Sequence, residues 1–316
     1  MKRTIFVTLL ILILSMSIAG CSSDKTKDAV EQDFQTLTIG VLPDVDSIPF
    51  IIAKYNGYFE KEGLDVEIHH FKSAMDRDSA LQTGSIDGAI SDMPAIVFFK
   101  DNGFDVKITS KTDGSFKLIA GKSSNISNLE EIKGKTIGIS KNTIIEYVTD
   151  RVLKISNIDV DAPRKVVIPQ IPTRLEMLSN DKLDMATLPE PLASVAISRG
   201  GKMLSSSDEL GVNTAYMIFT EDSIVSKKEE IKAFYKAYNQ AVEYLNSESL
   251  EKYIDILIEE AGFPGVIKDS FSLPKYSRAS MPSDKDLEEV LDWLHTKKLT
   301  TSDYSLEELS DPSLIQ

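Results

Sequence analysis

At 316 residues, with 42% hydrophobic and 27% charged side chains, the chain has room for one large or two medium domains and can bury a sizeable core. Against 35 basic residues stand 49 acidic ones, a net charge of −14, which argues against nucleic acid and against docking on anionic lipid through a basic patch. Cys21 is the single cysteine, which excludes an intramolecular disulfide and a cysteine-based metal cluster.

The first twenty residues stand apart. Lys2 and Arg3 form a basic start, Ile5 to Ile18 is nearly all apolar, and Ile18-Ala19-Gly20-Cys21 puts small residues before a cut. That is the plan of an export signal, with an apolar stretch short for a membrane span of about 20 residues. The segment resembles a bacterial lipoprotein signal, which implies cleavage before Cys21 and attachment of lipid to its sulfur and new N-terminus. Loss of residues 1–20 removes Lys2 and Arg3, leaving 33 basic and 49 acidic residues, −16. Residues 21–35 are polar and read as a flexible tether.

From Leu37 onward short apolar segments alternate with helical patterns. LTIGVL predicts a strand, and Pro49–Tyr58 a helix, with the proline in a first turn where its missing N–H is harmless. Asp65–Phe71 alternates as a strand, Asp76–Gln82 is a short helix, Ile86–Ser91 a strand, Pro94–Lys100 a helix and Val106–Ser110 a strand. The rhythm then restarts. Leu118–Ala120, Lys135–Ser140, Val166–Pro169 and Leu183–Thr187 predict strands, with helices over Thr143–Ser156, Thr173–Asn180 and Pro191–Arg199. Residues 213–220 predict a strand returning to the first unit, and only helices follow. Ser226-Lys-Lys-Glu229 reads as a capping box before an apolar stripe from Ile231 to Leu245, and Ser283 as the cap of a last helix.

This β-α rhythm predicts an α/β fold of two lobes, each a mostly parallel sheet covered by helices. The expected division is residues 36–118 plus 218–316 in the first lobe and 119–217 in the second, joined by two crossing segments. In such sheets ligands bind outside the carboxyl ends of the strands, so a cleft between the lobes is the expected site.

Four segments carry a resemblance. They are Gly57-Tyr-Phe-Glu-Lys-Glu-Gly-Leu-Asp-Val-Glu67, Leu81-Gln-Thr-Gly-Ser-Ile-Asp-Gly-Ala89, Ile132-Lys-Gly-Lys-Thr-Ile-Gly-Ile139 and Leu183-Asp-Met-Ala-Thr-Leu-Pro-Glu-Pro191. In this order they resemble the solute-binding lipoproteins of ABC importers in the NMT1/SsuA-like group, over roughly Leu37 to Glu221. That group contains binders of sulfonates, taurine, nitrate and thiamine-pyrimidine precursors. The resemblance implies the type II periplasmic-binding fold, in which lobe closure traps the solute.

Asp44, Asp46 and Ser47 fall between a strand's carboxyl end and a helix N-terminus, where free N–H groups collect. Asp46 or Ser47 suits a helix cap; Asp44 lies earlier and suits a carboxylate facing the cleft. Similar gaps hold Ser73, Asp76 and Arg77, then Ser91 and Asp92, and in the other lobe Ser140, Asn142, Thr143, Gln170 and Glu190. Helix N-termini favour anions, but carboxylates beside a pocket repel them. The acids therefore point to an amine- or amidine-bearing solute such as an aminopyrimidine. The expected contacts are Asp44, Asp46, Ser47, Ser73 and Asp92 from the first lobe, and Ser140, Asn142, Thr143, Gln170 and Glu190 from the second, with Tyr216 as a ring partner.

Enzyme signatures fail one by one. Gly134-Lys-Thr136 lacks the earlier glycine of a P-loop and leads into a strand. There is no G-x-S-x-G and no H-E-x-x-H, and His69-His70 lies in a strand, where neighbouring side chains point to opposite faces. Trp293 falls in the apolar register of the last helix and reads as packing.

The expected protein is thus a non-enzymatic, cofactor-free monomer without a metal site, exported and lipid-anchored to the outer face of the cell membrane through Cys21. It captures a small organic solute by lobe closure and delivers it to an ABC permease and its ATPase. Two alternatives stand beside it. One is an anion binder for sulfonates, taurine or nitrate that uses serines, Asn142 and helix N-termini. The other is an exported enzyme or sensor on the same fold.

Overall fold

The computed structural model describes residues 34–315, apart from 213, 214, 270 and 272. The export signal, Cys21 and nearly all of the expected tether lie outside the described residues. Its last two positions, Phe34 and Gln35, already belong to the body: Phe34 packs against the core, and the Gln35 N–H donates to Glu230 Oε1 at 3.1 Å.

Ten strands form two five-stranded sheets. They are β1 (Leu37–Val41), β2 (Val66–His70), β3 (Gly88–Asp92), β4 (Val106–Lys111), β5 (Phe116–Ala120), β6 (Thr136–Ile139), β7 (Arg164–Val167), β8 (Met185–Pro189), β9 (Lys202–Ser206) and β10 (Ala215–Thr220). The orders are β2-β1-β3-β10-β4 and β7-β6-β8-β5-β9. The helices are α1 (Ile48–Tyr55), α2 (Tyr58–Lys61), α3 (Ala74–Gln82), α4 (Met93–Asp101), α5 (Ile144–Ile155), α6 (Ile171–Ser179), α7 (Leu192–Ser198), α8 (Ser207–Leu210), α9 (Glu221–Ser226), α10 (Lys228–Ser247), α11 (Ile254–Glu259), α12 (Asp284–Thr296) and α13 (Leu306–Leu309).

Within each sheet one strand runs against the others, β10 in the first and β5 in the second. These are the strands that enter from the other lobe. The other strands run toward the cleft, so a chain crossing the cleft enters the next sheet at its carboxyl-end edge and runs away from it. Strand β5 lies whole in the second sheet and β10 whole in the first, so the boundaries expected at 118 and 217 cut both strands. The first crossing falls between Lys111 and Phe116.

Both lobes repeat one local design. The Thr38 N–H and hydroxyl donate to Asp87 Oδ2 at 2.7 and 2.8 Å, and Asp87 N–H returns to Thr38 Oγ1. In the second lobe Thr136 donates to Asp184 Oδ2 at the same two distances, and Asp184 N–H returns to Thr136 Oγ1. Each pair ties the start of one strand, β1 or β6, to the start of its parallel neighbour, β3 or β8. The strand centres are buried, with 0% exposure at Leu37, Ile39, Met185 and Ala186.

Behind the first sheet, α10 lays one apolar face on α1, as its 3.6-residue stripe dictates. Phe234 is the hub, with ring centroids 5.2 Å from Phe50, 5.4 Å from Phe59 and 5.7 Å from Phe219. The capping box expected at Ser226 does not form. Ser226 closes α9, and its hydroxyl donates to the Asp222 carbonyl at 2.7 Å. The Lys227 N–H already reaches Ser223 O, so α9 runs almost directly into α10 and leaves no open turn to cap. Ser283 does cap α12, in a reciprocal box with Asp286. Strand β9, not among the expected elements, is an edge strand without apolar alternation, its first two residues exposed and its last two buried.

Helix α12 packs on α4 of the first lobe and reaches α5 of the second. Lys297, at its C-terminal end, binds Glu146 Oε1 at 2.6 Å and Asp150 Oδ2 at 3.5 Å, and Lys165 Nζ lies 3.2 and 2.5 Å from the same two acids. Trp293 packs edge-on to Tyr147 and donates its indole N–H to Asp150 Oδ2 at 3.0 Å. Among the described residues, no helix is long and apolar enough to cross a membrane.

Candidate functional site: a carboxylate-lined cavity between the lobes

The loops past the strand tips of both lobes meet. Two backbone hydrogen bonds cross the cleft, from Val45 N–H to Glu190 O and from Ile171 N–H to Lys72 O, both 3.0 Å. They enclose a cavity of about 40 Å³, room for roughly two to four waters. The first lobe lines it with Leu42, Asp44, Asp46, Arg77, Ser91 and Asp92, the second with Ser140, Thr143, Ile144, Pro169, Ile171 and Arg174.

Asp44 precedes a 3-10 turn (Val45–Ser47) that leads into α1 but makes no side-chain capping bond. Its Oδ1 is buried with no hydrogen-bond partner, as is Oδ1 of Asp46. Burial pushes the Asp44 carboxyl well above its ordinary range; the Asp46 charge adds to this and Arg77 opposes it. Burial also pushes Asp46 up to about 7, against the Thr112 hydroxyl and with Asp113 adding. Asp92 does two jobs. Its Oδ1 accepts the Ala95 N–H at 3.0 Å as the cap of α4, and the residue still faces the cavity. Burial raises it to about 6, with Arg77 and the Ile144 N–H of the other lobe pulling it down.

Ser140 and Thr143 line the cavity from the second lobe, and Thr143 also caps α5 through the Ile145 N–H. The other expected contacts lie outside the cavity lining. Ser47 turns its hydroxyl back to the Asp44 carbonyl at 2.6 Å. Ser73 caps α3 and bonds Asp76, so its polar atoms are occupied. Asn142 takes a left-handed φ of 58° and lines an outer groove. Gln170 is exposed, with Oε1 accepting from the Thr173 hydroxyl at 3.3 Å. Glu190 is buried but bound to Lys117 and to the Ser194 N–H and hydroxyl. Tyr216 points into the core beneath α12, where burial holds its phenol far above the ordinary value.

Two charged residues of the lining are not among the expected contacts, Arg77, which the sequence places in a gap, and Arg174. Both are buried on helix faces shared with Leu81 and with Leu175 and Leu178. An arginine in the apolar register of a short helix was the available signal. Arg77 spends its guanidinium on Asp78, the Ile90 carbonyl and the Ser91 hydroxyl. Arg174 donates from Nε to Thr187 O at 2.9 Å and from Nη1 to Ile168 O at 2.7 Å, while Nη2 has no partner. Burial brings its guanidinium down to about 9, which leaves it charged at neutral pH.

Two α/β lobes, crossed twice by the chain and closed over a charged cavity, define the two-lobed periplasmic-binding class of fold. The chain belongs to the family described as NMT1/THI5 like, whose model matches residues 44–249. A Brachyspira hyodysenteriae protein named as an ABC transporter periplasmic binding protein is 24% identical over 265 residues, 78% of this chain and 76% of that one. The D-methionine-binding lipoprotein MetQ of Salmonella typhi is 27% identical over 250 residues, 72% of this chain and 88% of the other. Among solved structures, the alkanesulfonate-binding protein SsuA from Xanthomonas axonopodis pv. citri, bound to MOPS, superposes with a TM-score of 0.75 at 16% identity, covering 87% of this chain and 98% of that one.

Proposed function

We propose that the chain is the extracytoplasmic solute-binding protein of an ABC importer, and that it captures a small amine-bearing organic solute, such as an aminopyrimidine, by closing its lobes. The observation that carries the solute class is the set of three buried carboxylates in one cavity, two of them with an oxygen left unpartnered. A buried ionised carboxylate is costly unless paired with a cation or hydrogen-bonded. Closing these acids away from water therefore costs free energy, met by leaving them ionised or by taking up protons, and a cationic or N–H-rich solute removes that cost. Closure then follows the solute, because a ligand shifts a two-state equilibrium only through its differential affinity.

Membership of the NMT1/THI5-like family and the roles that the relatives' names give them support the transport reading. Attachment through Cys21 and delivery to a permease and its ATPase belong to the same proposal; MetQ, by its name, is a lipoprotein. The three histidines, His69, His70 and His295, do not line the cavity, so no imidazole base faces a bound solute. Binding rather than catalysis is the reading this supports.

Native mass spectrometry of the chain purified without refolding, followed by calorimetric titration with an aminopyrimidine and with an alkanesulfonate, tests the proposal. Heat from the amine with none from the sulfonate is the expected result; the reverse overturns the solute class. Turnover of the bound compound would overturn the binding role. One observation favours the anion reading: Arg174 brings an unpartnered cationic donor to the same cavity.

A further inference from the structure

The cavity is not of one sign. Asp44 and Asp46 stand on the first lobe, and Arg174 stands on the second. All three side chains are buried, at 5%, 2% and 0% exposure, and each has one polar atom with no partner. Among the described residues, no acid pairs with Arg174. Burial is what brings its guanidinium down, and its two engaged nitrogens meet backbone carbonyls. Its counterpart Arg77 differs: it lies against Asp78, Asp92 and Asp44 and uses all three guanidinium nitrogens. A buried guanidinium without a counter-charge is costly in the same way as the acids opposite.

A solute carrying only a cation answers the acids and leaves Arg174 Nη2 unmet. One carrying only an anion does the reverse and faces Asp44 and Asp46. We infer that the solute is a small zwitterion, with its cationic end at Asp44 and Asp46 and its anionic end on Arg174 Nη2. This inference rests on the amine-bearing reading above and adds a second, oppositely charged end. It also gives closure a mechanism. The two ends are held by different lobes, so the full set of contacts exists only when the lobes meet.

The test is calorimetric titration of the full chain in detergent with the standard amino acids, β-alanine and taurine, each compared with one-ended analogues: ethylamine, propionate and ethanesulfonate. At least one zwitterion is expected to bind roughly 10- to 100-fold more tightly than either one-ended relative, the worth of a charge-assisted hydrogen bond. Arg174→Gln should reduce that zwitterion to the affinity of the amine or below it, while the amine, freed of a like charge in the cavity, should bind no more weakly than before. Asp44→Asn should reduce it toward the affinity of the anion alone. If Arg174→Gln does not fold, Arg174→Lys keeps the charge without the fork and should lose part of the advantage. Amines that bind as tightly as zwitterions overturn this inference and leave the amine reading standing. Anions that bind as tightly as zwitterions, with amines silent, overturn both. A panel in which no member binds overturns the zwitterion, while the aminopyrimidine titration decides the amine reading separately.

Discussion

Arg77 and Arg174 occupy equivalent places in the two lobes, each on the helix that follows an edge strand, β2 or β7. Each lays its side-chain stem over a glycine of the neighbouring strand, β1 or β6: an ideal Cβ at Gly40 would lie 3.4 Å from Arg77 Cγ, and one at Gly138 3.2 Å from Arg174 Cγ. Each also donates to a carbonyl of the next strand, Ile90 of β3 or Thr187 of β8. The lobes are thus built alike, down to the glycine that makes room for a buried arginine. They differ in what surrounds the charge: acids on one side, backbone carbonyls on the other.

The acids of the first lobe make the unliganded protein more stable in mild acid. Burial raises Asp44, Asp46 and Asp92, the last two to about 7 and about 6, so the folded chain holds protons that the unfolded chain releases near pH 4. Their contribution is fully present below the unfolded value and is lost as pH rises through the folded one. The melting temperature without solute should therefore rise between pH 8 and pH 5.5. A flat or opposite profile by calorimetry would show that these acids ionise freely in the closed cavity.

Binding of an amine should run the other way. The cation needs ionised carboxylates, so affinity should fall as pH drops below about 7, and binding at pH 6 to 7 should release protons. Titrations in two buffers of different ionisation heat count those protons directly.

Asp92 separates capping from charge. Asp92→Asn keeps an acceptor for the Ala95 N–H and should leave stability within about 0.5 kcal/mol, while Asp92→Ala should cost about 1 kcal/mol through loss of the α4 cap. Both should weaken amine binding. Equal stability of the two variants in urea would remove the capping role.

Gly114 guards the space beside Asp46. A Cβ there would lie 2.6 Å from Asp46 Oδ2 and 3.1 Å from the Phe116 ring. Gly114→Ala should push the Asp46 carboxylate aside and weaken solute binding at least roughly tenfold, about 1.4 kcal/mol. Unchanged affinity would mean that Asp46 plays no part in capture.

The Lys297 cluster ties α12 to α5 outside the cavity. Burial alone would lower the Lys297 ammonium, but Glu146 and Asp150 outweigh it and hold it above its ordinary value. Lys297→Met should cost roughly 1–3 kcal/mol of closed-state stability, between the values for exposed and buried pairs. The unliganded chain should then show a larger radius of gyration in solution scattering. Phe234→Ala should leave closure alone and cost roughly 3–5 kcal/mol of global stability, because it empties the hub between α10 and the first sheet.

Much of the architecture is legible in the sequence. Apolar runs of four to six residues alternating with helical stripes fix a β-α rhythm, because each strand must bury both faces and each helix one. That rhythm places Asp44, Asp46, Asp92, Ser140 and Thr143 just past strand tips, and all five line the cavity. Local patterns misled where a partner came from far along the chain or from the next helix. Glu190 looked available until Lys117, 73 positions earlier, took it, and Ser226 looked like a cap until α9 filled the place. Tyr216 could have faced either side of its strand, and it joins the buried cluster that holds Leu287 and Leu291 of α12.

The sequence alone therefore determined which loops form the site and that acids dominate them, since both follow from local periodicity and residue type. Only the tertiary structure decided which of those acids keep an unpaired oxygen and that Arg174, with one nitrogen unpaired among the described residues, faces them. Whether a polar atom is satisfied depends on every neighbour within hydrogen-bonding distance, and in a two-lobed chain those neighbours come from segments that periodicity does not relate.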